Sequence, residues 1–236
     1  MMLNFLGRLI QKFKFGIMLC KRHEYRRHLP VWLISQLPNY MFIKRIPWLV
    51  FDAITYLDNL IIEQIKVFEY GSGASTLYWL KRGAKCVSVE HDPQWALKVQ
   101  KHLHNSKNID YRVIPPQKEL KFVEHSYNDP QAYTSEDCRY RNFSFENYVQ
   151  QIDEFADGYF DIVLIDGRAR PSCIHHACSK VRSGGLLIID NADREYYYNK
   201  TAFYLNDFDK ISFKGPGPSD PNIWQTDIFI QKTKAT

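Results

Sequence analysis

The sequence has no stretch of about 18 uninterrupted apolar residues, so no membrane-crossing helix is expected. Lys12 and Lys14 interrupt the apolar N-terminal stretch, which makes it a poor secretory leader. The five cysteines (Cys20, Cys86, Cys138, Cys173, Cys178) include no CxxC pair, and the step from Cys173 to Cys178 suits zinc badly. A reducing, cytoplasmic compartment is the expectation, with Cys86 a small core residue. Internal repeats and low-complexity tracts are absent. So is a broad positive charge. Residues 1–30 hold seven basic side chains (Arg8, Lys12, Lys14, Lys21, Arg22, Arg26, Arg27) against Glu24, a surplus of six. The remainder carries 24 basic and 25 acidic side chains. The main body therefore lacks the electrostatic footprint of a nucleic-acid binder.

What is present is ordinary globular material: 236 residues, 45% apolar and 24% charged, enough for one large domain with an extension. The chain is expected to divide into a basic helical extension over 1–47 and a main domain over 48–236. In the extension, Leu3, Leu6, Ile10, Phe13, Ile17 and Cys20 recur at intervals of three and four, which is one face of a helix. Two readings of that helix stand. It lies on an acidic membrane surface, or it packs on its own domain or a protein partner with its basic side in water. Pro30, Pro38 and Pro47 punctuate the next segment, and residues 48–62 read as a helix entering the main domain.

From there the alternation is regular. Strands are expected at 66–69, 85–90, 109–114, 159–166 and 185–190, with helices at 75–82, 93–102 and 171–182 between them. The runs YFDIVLID and GLLIID are almost continuously apolar, as in strands buried on both faces. Such alternation predicts an α/β domain with a mainly parallel sheet and helices on both faces. Runs at 210–214 and 226–231 predict a closing strand pair, and GPGPSDPNIWQT between them can form a substrate wall or a tight crossover around a buried Trp224. Residues 115–150, polar and tyrosine-rich, read as an insertion over the active face.

The stretch VFEYGSGAST puts Gly71 and Gly73 in a strand-to-helix turn at the carboxyl edge of the sheet, where ligands bind. Glu90 stands 19 residues after Gly71, at the end of the next strand, where a carboxylate can accept from both hydroxyls of a ribose. A ribose-bearing cofactor is expected, unless the turn serves only tight helix–strand packing and Glu90 is merely solvated. Thr76 occupies the third glycine position of G-x-G-x-x-G, so the dinucleotide fingerprint is broken. Glu69-x-Gly71-x-Gly73 followed by Glu90 resembles motif I of the class I S-adenosylmethionine-dependent methyltransferases. The resemblance, over roughly residues 48–236, implies a seven-stranded Rossmann-like sheet with an antiparallel strand at its end. It also implies cofactor binding by Glu69, Gly71, Ser72, Gly73 and Glu90, with Glu69 near the methionine end and Glu90 on the ribose.

A second set of polar residues ends the other strands: Asp166 before Gly167-Arg168-Ala169-Arg170, and Asp190-Asn191 before Asp193-Arg194. Two carboxylates and an amide oxygen can hold Mg²⁺, which can lower the pKa of a substrate hydroxyl. The set is similar to the metal ligands of catechol and caffeoyl-CoA O-methyltransferases, which implies Asp166, Asp190 and Asn191 as ligands. Those families place a lysine close behind the first aspartate, whereas this chain has Arg168 and Arg170 there. The alternative is that both aspartates bond to loop backbone without a metal. Arg168 and Arg170 can bind an acidic or phosphorylated group or form surface ion pairs. Asp166, His175 and Asp193 are the candidate catalytic residues, His175 or its neighbour His176 as a base near neutral pH. The Asn/Asp-Pro-Pro-Tyr/Phe motif of methyltransferases that modify nucleobase amines is missing.

The resemblance implies transfer of a methyl group from S-adenosylmethionine to an oxygen of a small-molecule or glycan-like acceptor, not a nucleic acid. Two other readings remain: an NAD-type oxidoreductase, and a non-catalytic module docking to a membrane or protein through residues 1–30.

Overall fold

The computed structural model describes residues 2–60, 64–103, 106–119 and 126–233, with side chains from residue 6 onward. The extension forms α1 (Met2–Lys21), α2 (Leu29–Ile34) and α3 (Tyr40–Lys44). The helix expected over 48–62 is shorter, α4 (Phe51–Asp58). Residues after Pro47 bend instead, burying Leu49 and Val50 completely, and the Val50 N–H donates to Thr226 Oγ1 at 3.3 Å. Ile61 and Ile62 lie outside the described residues, as do the Leu3 side chain and residues 120–125.

The alternation then follows the sequence pattern: β1 (Lys66–Tyr70), α5 (Ala74–Lys81), β2 (Lys85–Glu90), α6 (Pro93–Leu103) and β3 (Ile109–Val113). Residues 115–150 contain a small antiparallel ribbon, β4 (Gln117–Lys118) with β5 (Phe143–Ser144), and a one-turn helix α7 (Glu146–Val149). The chain returns through β6 (Phe160–Ile165), α8 (Arg170–Ala177), β7 (Val181–Asp190), β8 (Phe208–Pro216) and β9 (Ile223–Gln231). The helix expected to reach Arg182 ends at Ala177 with a 3₁₀ turn over Cys178–Lys180. Val181 is already paired with Phe160, and the register then shifts before Ile162 meets Leu186.

The main sheet has seven strands in the order β3-β2-β1-β6-β7-β9-β8. β3, β2, β1, β6 and β7 are parallel, and β9 runs antiparallel to both of its neighbours. This is the seven-stranded class I methyltransferase arrangement that the resemblance implied. The apolar runs alternate between two cores. Phe68, Tyr70, Val163, Ile165, Leu187 and Ile189 point to one. Val67, Ile162, Leu164, Leu186 and Ile188 point to the other. Strands covered on both faces need no polar alternation.

The extension belongs to the second core, where Phe15, Leu19 and Trp32 join Trp79, Trp224 and Ile228. Trp32 Nε1 donates to the Asp220 carbonyl at 2.9 Å, and Ser219 N donates to Ser35 Oγ at 2.8 Å. No described helix is long and apolar enough to cross a membrane. The cysteines are free, with Cys20 and Cys138 exposed and the other three buried.

The order of connection positions the site. From β1 the chain winds outward to β2 and β3, then returns to β6 on β1's other side. A crevice opens at that reversal, outside the carboxyl ends of β1 and β6.

Candidate functional site

The β1–α5 turn is shaped by its neighbours as much as by a ligand. Gly71 has φ +89°, and a Cβ there would stand 3.0 Å from the Asp166 and Gly167 backbone. Its glycine is thus required by the close approach of two strand ends, where the sequence suggested approach to a ligand. Gly167 answers it, since a Cβ on Gly167 would overlap the Tyr148 hydroxyl. Gly73 differs: a Cβ there meets nothing nearer than Trp95 at 4.0 Å. Gly73 is the position that leaves open space above the turn.

Glu69 lies beneath the turn, 0% exposed. Its Oε1 accepts from Ser88 Oγ at 2.8 Å and from Thr76 Oγ1, while Thr76 Oγ1 accepts from the Gly73 N–H at 3.1 Å. Glu69 therefore props the first turn of α5 and has no surface to offer a ligand. Burial pushes its carboxyl up to about 7, against the opposing pull of the Thr76, Ser88 and Ser75 hydroxyls. Thr76, which breaks the dinucleotide pattern, is a helix-cap residue here.

Glu90 reaches the crevice from the end of β2. Its Oε2 accepts from Ser72 N at 3.0 Å and Ser72 Oγ at 2.9 Å, and its Oε1 from His91 N and Asp92 N, both at 2.8 Å. Burial opposes its ionisation, but His91 and the Asp92 and Ser72 N–H groups outweigh it, and the pKa is lowered. Ser72 Oγ also lies 2.7 Å from the Tyr111 hydroxyl, and Trp95 Nε1 donates to the Ser72 carbonyl at 2.8 Å.

Across the crevice, the three expected metal ligands converge on a cation that the chain itself supplies. Arg170 Nη2 donates to Asp166 Oδ1 at 3.0 Å and to Asn191 Oδ1 at 3.1 Å. Its Nε donates to the Gly167 carbonyl at 2.9 Å, and its Nη1 to the Asp190 carbonyl. Asp190 Oδ1 is taken by Trp224 Nε1 at 3.0 Å and Thr226 Oγ1 at 2.6 Å. Among the described residues no group of three or more His, Cys, Asp or Glu side chains is disposed to hold a metal. The donor set does not fit Mg²⁺, because Arg170 already takes Asp166 Oδ1 and Asn191 Oδ1 and the Asp190 carboxylate is turned to Trp224 and Thr226. Burial, then the mutual charge of the pair, raises the Asp166 pKa, with Arg170 pulling it down. Asp190 is likewise raised by burial, with Arg170 opposing.

Two adjoining cavities share Trp48, Ser72, Trp95 and Asp166. One, about 390 Å³, is lined by Gly71, Glu90, Arg139 and Tyr140. The other, about 770 Å³, has Asp166, Asp190, Asn191 and Asp193 on its polar side and Tyr40, Phe42 and Trp224 among its walls. The structure thus brings Gly71, Ser72, Gly73, Glu90, Asp166, Asp190, Asn191 and Asp193 to one crevice, and the β8–β9 loop supplies part of its wall. It does not bring His175 there. His175 packs on Tyr204, ring centroids 4.3 Å apart, and lines a different cavity with Asp157 and Phe208. Five residues into α8 it is about 7.5 Å along the axis from Arg170. His176 Nδ1 is 2.8 Å from Asp153 instead. Arg170 is buried and committed, and Arg168 pairs with Asp137 at 3.0 Å.

Trp95, Tyr111 and the wall residues Tyr40, Phe42 and Trp48 were not singled out in the sequence. An aromatic just inside the helix after Glu90 was a usable signal for Trp95. Nothing local marks the others, which arrive by long-range packing.

No family model and no curated protein matches this sequence. Solved structures do match in fold. Cofactor-bound Rv0187 from MTB is 15% identical with a TM-score of 0.49, covering 95% of this chain and 97% of that one. A point mutant of MtNAS in complex with S-adenosylmethionine is 10% identical, with a TM-score of 0.47, 98% of this chain and 76% of that one. A methyltransferase from Pyrococcus furiosus is 12% identical, with a TM-score of 0.45, 77% of this chain and 82% of that one. None is similar enough to carry a reaction over to this chain.

Proposed function

We propose that the crevice binds S-adenosylmethionine and that the protein methylates an oxygen of a small-molecule or glycan-like acceptor. The observation behind this reading is the position of the Glu90 carboxylate. It lies at the carboxyl end of β2, beside the open space over Gly73 and across the switch point from Asp166. A ribose fits a carboxylate there, with hydroxyls replacing some of the N–H donors that now hold it. Ser72 and Trp95 border the same space and Gly73 the adjoining larger cavity, whereas Glu69 acts from below as a support for the turn.

Bound there, S-adenosylmethionine supplies an electrophilic methyl group. The chain's part is positioning and proton removal. Aromatic walls from Tyr40, Phe42, Trp48 and Trp224 suit a ring-bearing acceptor. Asp166, at the junction of the two cavities with a raised pKa, is the candidate base for the acceptor hydroxyl. Asp193 lines the larger cavity as a polar contact. No metal is needed for these roles.

The test is a calorimetric titration with S-adenosylhomocysteine, followed by methyl transfer to hydroxylated acceptors. Micromolar binding, about −8 kcal/mol, is expected, with Glu90→Gln weakening it at least about tenfold. Asp166→Asn is expected to keep the affinity and lose turnover. In the native chain turnover should climb with pH as Asp166 ionises, with a midpoint above the ordinary carboxylate range. Binding of NADH without binding of S-adenosylhomocysteine would overturn the reading.

A further inference from the structure

α1 has two apolar faces, and only one is used. Phe15 and Leu19, one turn apart, are buried against Trp32, with the Phe15 and Trp32 ring centroids 5.2 Å apart. On the opposite side Leu6, Leu9, Ile10, Phe13 and Ile17 recur at intervals of three and four and are 57%, 48%, 48%, 71% and 40% exposed. The stripe is not part of a general surface pattern. Ten of the fourteen exposed large apolar side chains among the described residues fall within residues 6–48, the others being Leu97, Tyr127, Tyr159 and Phe203.

Charge narrows the choice of what covers it. α1 carries Arg8, Lys12, Lys14 and Lys21 and no acidic residue. None of the four makes an ion pair among the described residues, in contrast to Arg27, which pairs with Asp52 at 2.7 Å. Arg8 and Lys12 fall on the face of Phe15 and Leu19, whereas Lys14 and Lys21 flank the stripe, so two copies meeting through it would bring four uncompensated cations together. An anionic lipid surface instead takes the apolar stripe into its acyl boundary and the lysines among its headgroups.

We propose that α1 docks the protein flat on an anionic bilayer surface, with Leu6, Leu9, Ile10, Phe13 and Ile17 in the interface. The packing of Phe15 and Leu19 against Trp32 fixes the helix to the second core, so the stripe is held outward before contact. The proposal is independent of the reading of the crevice.

The experiment is flotation of the full chain with vesicles of phosphatidylcholine alone and of equal parts phosphatidylcholine and phosphatidylglycerol. Binding to the anionic vesicles only is expected, falling as salt is raised. Lys14→Gln with Lys21→Gln should weaken it more than about tenfold, at roughly fivefold per charge. Phe13→Ser with Ile17→Ser should weaken it by at least about tenfold. Because both side chains are exposed, thermal melting and S-adenosylhomocysteine affinity should not change in that variant. Failure of the native chain to float, equal binding to neutral vesicles, or undiminished binding by the serine variant would each overturn the proposal. So would a concentration-dependent dimer in sedimentation, abolished by the serine changes, in a chain that does not bind vesicles.

Discussion

Arg170 Nη2 donates to Asp166 Oδ1 at 3.0 Å, and the same guanidinium holds the Asp190 carbonyl and Asn191 Oδ1. One buried cation thereby ties together the ends of β6 and β7. Removing it leaves the buried Asp190 and the partly buried Asp166 carboxylates without their counter-charge. Arg170→Met is expected to lower stability by about 3 kcal/mol or more, read from denaturant unfolding. A loss under about 1 kcal/mol would mean that the network is not holding the strand ends.

The same geometry bears on metal dependence. Since Arg170 takes Asp166 Oδ1 and Asn191 Oδ1 while Trp224 and Thr226 take Asp190 Oδ1, S-adenosylhomocysteine affinity and methyl transfer should be unchanged by EDTA. A dependence restored by Mg²⁺ would show that the guanidinium gives way to the ion.

Gly71 and Gly73 should respond differently to one added methyl group. Gly71→Ala meets both a left-handed φ of +89° and backbone at 3.0 Å. A stability loss of about 2 kcal/mol or more is expected, visible as a lowered melting temperature. Gly73→Ala has room and should melt as the native chain does, while binding S-adenosylhomocysteine less tightly. Equal melting temperatures for the two variants would contradict the assignment of Gly71 to strand packing.

Glu69 predicts a pH-dependent stability whose sign is fixed by its raised pKa of about 7. Below the unfolded-state value both states are protonated and nothing is lost. As pH rises towards 7 the unfolded chain ionises first and the fold loses stability, reaching a plateau above the folded pKa. Glu69→Gln should therefore gain on the native protein between about pH 4.5 and pH 7, by about 3 kcal/mol. Melting curves at pH 5 and pH 8 check this; a constant difference would refute it.

Much of the fold could be read in advance. YFDIVLID and GLLIID announced strands covered on both faces, and β2 has the expected bounds. The crevice was legible too, because strand ends of a parallel sheet must share an edge. Glu90, Gly73 and Asp166 meet there as the pattern required. Roles were harder to read than places. Gly71 and Glu69 sit in a ligand-like motif but serve packing, since their neighbours across the sheet come from residues far along the chain. His175 misses the crevice because a helix carries successive residues away from the strand end.

By itself, the sequence determined the αβ alternation, the turn after β1, the carboxylates at the strand ends and the basic, apolar-striped first helix. These follow from local periodicity and residue type, which act within a few residues. Only the tertiary structure decided that Arg170 occupies the centre of the acidic set and that the extension walls the crevice. It also decided which face of α1 is buried and which is left bare. Those outcomes depend on contacts between residues as distant as Trp32 and Asp220 or Gly71 and Asp166. No local pattern encodes such contacts, because they form only when the sheet brings the distant segments together.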